Sequence, residues 1–440
     1  MVRFAAIVTI FILVFGCSNG GAFEKLLIDQ SIAAETSLRT KVTTTDWPMW
    51  RGPNRNGIAA DDQHPPVSWS ATKNILWKTT VPGRGHASPT VVGNRVVLAT
   101  AFERRQVQSV ICFNRRTGVQ LWKSDISKGG FPRGIHSKNT HATCTVASDR
   151  DRLFTVFCHH GNIQASALSL NGKILWQQVV GPFAPQRHNH GYAPSPTIYK
   201  SLVIIAAEYG RGGYLAGLDC RTGKVVWKQS RPAMLSHSSP IVANVSGRDQ
   251  LLISGCDLVS GFDPNNGKPL WSVPATTMLT CGTMVWDGDL VFASGGYPKS
   301  ETVCVRVDGS GRIMWRNRQK CYEQSMLAHD GYIYAVNDAG IAFCWNADDG
   351  REMWKYRLSG PVSASPVLAG GNIYVSNERG TTYVFKANPR KFEFVAKNQL
   401  GNEAFATPTI CGNQILLRVA RTASRGRRES LYCIAATDAE

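Results

Sequence analysis

The sequence predicts an all-β fold, an eight-bladed β-propeller of four-stranded antiparallel blades, closed by its own N-terminal strand. Three observations predict it. Tryptophan recurs at Trp77, Trp122, Trp176, Trp227, Trp271, Trp315 and Trp354, at intervals of roughly 40–50 residues, the length of one propeller unit. A glycine stands four residues before six of them, at Gly118, Gly172, Gly223, Gly267, Gly311 and Gly350. A short Ser/Thr-centred phrase such as Ala87-Ser88-Pro89 opens each unit. Between these marks, short Val/Ile/Leu/Tyr runs alternate with Gly, Asn, Asp and Pro clusters, and helical periodicity is scarce.

Taken in order, the chain starts with a segment outside the repeats. Arg3 precedes the mostly apolar run Phe4 to Phe15, which is shorter than the ~20 residues a membrane helix needs and has the proportions of a secretory signal. Residues 1–22 therefore read as a signal peptide. Val14-Phe15-Gly16-Cys17 resembles a bacterial lipoprotein box ending at Gly16, with Cys17 as the lipidated residue; cleavage near Ala22 is the other reading. Residues 23–45 carry no period and read as a linker, and residues 46–440 as the propeller.

Each unit then repeats one local logic. In Leu218-Asp219 through Gly223 to Trp227, the Asp folds onto the backbone to start a turn, and the Gly supplies the positive φ that closes it. An apolar strand follows, ending in a large ring able to pack between neighbouring sheets. All seven tryptophans are read as blade-docking residues. Unit starts are read at Ser88, Thr143, Ser195, Ser239, Gly282, Ser325, Ser365 and Thr407. The seventh unit lacks both turn glycine and tryptophan between Phe385 and Val395. The eighth stops at Leu431 to Ala435 without a Trp-bearing strand, whereas Ile75-Leu76-Trp77-Lys78 has no unit before it. The N-terminal strand is thus expected to complete the last blade and protect its edge.

The chain holds twelve cysteines but no CxxC pair. Cys112, Cys304, Cys344 and Cys433 recur in apolar strands, as buried thiols do; one or two disulfides stay open, and no pairing can be read. The formal net charge is +18, which in an exported protein points to anionic envelope material and away from nucleic acid. The run Arg418, Arg421, Arg425, Arg427, Arg428 reads as a loop projecting from a hairpin.

The Asp/Asn-x-x-Thr/Asn-Gly-x-x-x-Trp phrase with Ser-Pro starts resembles the PQQ-type repeat of quinoprotein alcohol dehydrogenases, found also in the lipoprotein propeller of the outer-membrane barrel-assembly machinery. The opening Trp47-Pro48-Met49-Trp50-Arg51-Gly52-Pro53-Asn54-Arg55-Asn56-Gly57 is similar to the entry segment of exported bacterial PQQ-like repeat proteins. The resemblance spans about residues 46–438. It implies a propeller; for the dehydrogenases it also implies PQQ under a vicinal Cys-Cys disulfide, beside a calcium held by acidic and Asn side chains. This chain has no adjacent cysteines and lacks the long insertions of those enzymes, so no catalytic residue carries across.

Propeller ligands sit where inner strands begin and loops converge. Two positions before the unit starts lie His86, His141 and His237, with Glu323 in unit six; His190 is close to that place, in Arg187-His188-Asn189-His190. These residues and Arg187 are the candidate ligand site. Imidazole suits zinc, copper or iron, so His86, His141 and His237 are candidate metal ligands; an anionic ligand is the other reading. The long loops 127–140 and 181–193 are placed over the same face. Cys158-His159-His160 follows a strand and cannot converge on one ion, because its side chains alternate.

From these readings the chain is expected to be an exported, monomeric propeller of the periplasm or cell envelope. It would act as a binding or scaffolding module for an envelope protein or a small or anionic ligand, reaching the membrane only through the lipid anchor. A PQQ-dependent oxidoreductase is the alternative, and binding of an anionic polysaccharide a third reading.

Overall fold

The computed structural model describes residues 45–185, 190–424 and 426–437. The readings for Cys17, the signal peptide and Arg187 fall outside them. Eight four-stranded antiparallel sheets form the blades: residues 90–128, 147–182, 197–231, 241–274, 285–317, 327–357, 367–399, and 409–434 joined by Ile75–Val81. Ile75–Val81 pairs antiparallel with Gly426–Ile434, placing Trp77 opposite Cys433. The ring is therefore closed by its two ends, as the orphan strand predicts.

Burial follows strand position. The inner strand of blade one, Thr90–Val92, and the two behind it are almost wholly buried, whereas the outer strand Gln120–Lys128 is exposed or half-buried at all but two residues. Between the third and outer strands, each blade carries a register shift beside the tryptophan position, from Ile75/Trp77 in blade eight to Val384/Phe385 in blade seven. An extra residue there turns the ring toward the next blade.

The tryptophans dock as expected, and the contact is specific. The Trp77 ring lies on Gly118 of blade one, where an added Cβ would meet it at 2.5 Å, and Trp176 lies on Gly223, at 2.6 Å. The indole N–H donates to a turn carbonyl of the next blade: Trp77 to Arg115 (2.8 Å), Trp122 to Leu170 (3.0 Å), Trp176 to Cys220 (3.0 Å), Trp315 to Ala347 (2.8 Å) and Trp354 to Asn388 (2.8 Å). Trp271 departs. It donates to Gln250 within its own blade, at 2.6 Å, and Gly311 of blade five meets Val273 instead of its ring. In the degenerate seventh unit Phe392 stacks on Tyr356 at 3.9 Å. Trp69, buried beside Tyr374, joins the core of blades seven and eight.

A second ring of hydrogen bonds runs around the channel. At seven of the eight inner-strand starts the backbone N–H donates to the hydroxyl of the next blade's start: Ser88 to Thr145, Thr145 to Ser195, Ser195 to Ser239, Thr283 to Ser325, Ser325 to Ser365, Ser365 to Thr407, and Thr407 back to Ser88, at 2.9–3.2 Å. This ring corrects two unit starts. Unit two begins at Thr145, two residues after Thr143, behind a longer preceding loop, and unit five at Thr283, one after Gly282.

The opening phrase fills the channel from the far end. Asp46 accepts from the Gly93 N–H at the end of the first inner strand, Trp47 bridges Val91, and Pro48 accepts from Ser148. Trp50 reaches blade five, where its indole N–H donates to Thr283 Oγ1 at 2.8 Å. The chain turns at Gly52 (φ +83°) and descends along blade seven, where Ile58 bridges Leu368. Buried Arg51 donates to the carbonyls of Met326 and Pro366. One guanidinium thus satisfies two inner-strand carbonyls that would otherwise face an empty channel.

The described members of the arginine run lie in strands rather than in a projecting loop, and Arg425 falls outside the described residues. Arg418 and Arg421 lie in Gln414–Ala423, and Arg427 and Arg428 in Gly426–Ile434. Arg418 is buried, ion-paired with buried Glu429 at 2.5 Å, and donates to the Ala99 carbonyl of blade one at 2.8 Å. An alternating pattern placed it inside, where a carboxylate on the neighbouring strand makes burial tolerable.

Candidate functional site

Where the inner strands start, the channel opens into a funnel of about 200 Å³. Its floor is the tip of the entry phrase, Trp50, held in orientation by Thr283. The positions two residues before the corrected unit starts line its wall. Three of them, His86, His237 and Glu323, are among the expected residues; the others are Thr143, Ala193, Cys281, Ser363 and Phe405. Beneath them lie the ring hydroxyls of Ser88, Thr145, Ser195, Ser239 and Thr407.

His141 is a correction. With unit two starting at Thr145, Thr143 takes the wall position. The His141 ring lies outside the funnel, against Phe131 at 4.2 Å under the loop 127–140. The proposed metal trio of His86, His141 and His237 is accordingly not brought together. Among the described residues no group of three or more His, Cys, Asp or Glu is placed to hold a metal ion. In Cys158-His159-His160, the Cys158 thiol lies by the Phe183 carbonyl while His159 meets Gln164, so the triplet diverges. The eleven described cysteines are all free thiols.

His190 reaches the funnel from its loop rather than from the strand register. Its ring lies 5.3 Å from His136 and 5.7 Å from His237, so three imidazoles run from one loop, through the other, to the wall. The two long loops do cover this face. Asn139 donates to the His190 carbonyl at 2.5 Å, and Lys138 crosses the mouth to Glu378 of blade seven at 2.6 Å. Ser363 also donates to Glu378.

The electrostatics are mixed. His237 is buried, and burial, with His190 nearby, pulls its pKa down to about 3. Neither of its ring nitrogens has a hydrogen-bond partner among the described residues. His86, stacked on Phe405 at 4.3 Å, is held well below the usual imidazole range by burial and then by Arg418, Arg84 and Arg427. Both rings are therefore neutral at pH 7. Across the funnel, burial raises the Glu323 carboxyl, with Glu378 and Asp338 adding to the shift against Ser363 and Lys138. Burial lowers Lys138, but its bond to Glu378 and the field of Glu323 outweigh that and leave it raised.

Trp50, His136 and Lys138 were not legible as site residues. Trp50 sits outside the repeats, and the two others lie on a loop with no counterpart in other units. The signal available was the pair of turn glycines, Gly52 and Gly57, after an aromatic-rich phrase.

A family profile described as outer membrane protein assembly factor BamB matches residues 106–356 and 299–391. The outer membrane protein assembly factor BamB of Burkholderia pseudomallei is 24% identical over 71% of this chain and 87% of its own length. Among solved structures, BamB from Moraxella catarrhalis aligns with TM-score 0.57 at 15% identity, over 83% of this chain and 98% of that one. Quinohemoprotein alcohol dehydrogenase from Comamonas testosteroni aligns with TM-score 0.61 at 13% identity, over 93% and 83%.

Proposed function

This chain belongs to the family described as outer membrane protein assembly factor BamB, a family of PQQ-like β-propellers, and from that premise we propose that it is an exported cell-envelope binding or scaffolding module. Its working face is the loop-covered funnel mouth. The observation that carries this reading is the placement of both long loops, unlike anything in the other units, over one end of a channel whose other end is filled by the chain's own entry phrase. A rigid ring presenting irregular loops at one face is the usual construction of a recognition surface. The export signal lies within residues 1–22 and ends at Gly16, with Cys17 as the lipid attachment site and residues 23–45 in the tether. The relatives' role as outer membrane protein assembly factors supports an envelope location and an envelope protein as partner.

The test is site-specific crosslinking in intact cells. A photoreactive residue at Ser137 or His136 should give a discrete adduct with an envelope protein, and one at Asn94 on the opposite end should not. Equal adducts from both ends, or none from either, would refute the assignment of the face.

The dehydrogenase alternative rests on fold likeness, which does not carry chemistry. The residues do not fit the quinone site that resemblance implies. Among the described residues Glu323 is the only carboxylate lining the funnel and the one lining lysine is spent on Glu378, and no two cysteines of the sequence are adjacent. Added PQQ and calcium are expected to leave the protein without a bound-quinone spectrum.

A further inference from the structure

The funnel's chemistry narrows what it can bind, an inference that rests on the funnel face being the working face. We propose that the funnel is a binding site for one small, uncharged, polyhydroxylated ring, a neutral monosaccharide or the terminal sugar of a glycan.

Four observations converge. The first is a surplus of donors. Ser88, Thr145, Ser195 and Thr407 each accept a backbone N–H from the preceding blade, and Ser239 accepts from Ser195. A hydroxyl that accepts still has its own proton to give, and among the described residues none of these five has an acceptor for it. The O–H groups therefore ring the funnel as spare donors. The second is His237, a buried imidazole with neither nitrogen partnered among the described residues. Being neutral, it offers one donor and one acceptor side by side, and leaving both unused is unfavourable. A ligand hydroxyl, itself donor and acceptor, satisfies either.

The third is Trp50. It lines the funnel and its N–H is already committed to Thr283, so it offers a ligand aromatic carbon rather than a hydrogen bond. The apolar C–H face of a sugar ring fits such a surface. The fourth is charge. An anionic ligand would meet Glu323 on one wall and find Lys138 already paired with Glu378. A cationic ligand would meet the field of Arg418, Arg84 and Arg427 behind His86. Neither sign is favoured, whereas a neutral ligand with many hydroxyls meets both walls without an unpaired charge. The volume of about 200 Å³ displaces roughly seven waters at their liquid volume, room for a single ring.

The experiment is calorimetric titration of the mature full chain with methyl β-glucoside, N-acetylglucosamine and its disaccharide, beside glucuronate, glucosamine and inorganic phosphate. At least one neutral sugar is expected to bind with a Kd of about 1 mM or tighter, and the charged probes at least tenfold more weakly. A disaccharide bound more tightly than its monosaccharide assigns a glycan end; equal affinity assigns the free sugar. His237→Leu should weaken binding tenfold or more, and His237→Gln, which keeps a donor and an acceptor, should largely restore it. Ala193→Phe fills the funnel from the neighbouring blade and should abolish binding while leaving the His237 side chain in place. No neutral sugar binding at about 10 mM, preferential binding of a charged probe, or undiminished binding by Ala193→Phe would each overturn the proposal. The face-specific crosslink would survive any of these results, so the two readings fail separately.

Discussion

Docking of a tryptophan on the next blade's turn glycine can be tested with an internal control. Gly223 and Gly311 both stand four residues before a tryptophan and both have positive φ, +74° and +61°. An alanine at either site incurs the left-handed backbone penalty of about 1–2 kcal/mol. Their surroundings differ. A Cβ on Gly223 would lie 2.6 Å from the Trp176 ring, whereas one on Gly311 would meet only Val273 Cγ2 at 3.2 Å. Displacing a packed indole adds about 1–3 kcal/mol. Gly223→Ala should thus cost about 2–5 kcal/mol in total, and Gly311→Ala about 1–2 kcal/mol. Urea midpoints followed by far-UV circular dichroism would read the difference. In a Trp176→Leu background the excess cost of Gly223→Ala should shrink, since the two sites are in contact. Equal costs in the wild-type background, or no relief in the double variant, would show that the glycine serves only the turn.

Four further outcomes follow. His237 and His86 both have folded pKa values below the ordinary 6.5, so the unfolded chain binds more protons and stability falls as pH drops from about 6.5 toward about 3. Each contributes up to about 1.4 kcal/mol per pH unit, and His237→Gln should flatten the slope measured by urea midpoints between pH 6.5 and 4.5. Lys138→Ala removes the strap to Glu378 across the funnel mouth. Because Lys138 is partly exposed, stability should fall by less than about 1 kcal/mol, but amide exchange of residues 128–140 should rise; unchanged exchange would mean the ion pair does not hold the loop. Deleting residues up to Val81 exposes the edge of Gly426–Ile434 and should yield an aggregating or partly folded chain rather than a stable monomer. Burial pushes the Cys112 and Cys158 thiols up to about 12, so a native-state thiol reagent should leave both unreacted until the chain unfolds.

Much of the fold was legible because a repeat states each instruction several times. Asp219 could be read as a turn starter and Gly223 as its closer. The structure shows that turn, with the Arg221 and Thr222 N–H groups on the Asp219 carboxylate and the Gly223 N–H on its carbonyl. These are contacts between neighbours in sequence, and local spacing encodes them. Ring closure was legible for a related reason, since Trp77 is a unit's last strand without a unit. The same register put His86, His237 and Glu323 on the funnel wall, and it misplaced His141. A long loop shifted unit two by two residues, and the hydroxyl ring that defines the true start is formed between blades, invisible in any one of them.

The sequence by itself determined the blade, the number of blades and the way the ring closes. Each follows from hydrophobic period, turn chemistry and one leftover strand. Only the tertiary structure decided what occupies the channel. The entry phrase could be recognised but not placed, because its partners, from Val91 to Leu368, are spread over the ring and share no spacing with it. For the same reason the sequence could not show that Trp50 floors the funnel, that Lys138 spans it, or that Arg418 lies buried against Glu429 rather than on a loop. Those contacts join residues far apart in the chain, and their positions are set by closing eight blades around a common axis.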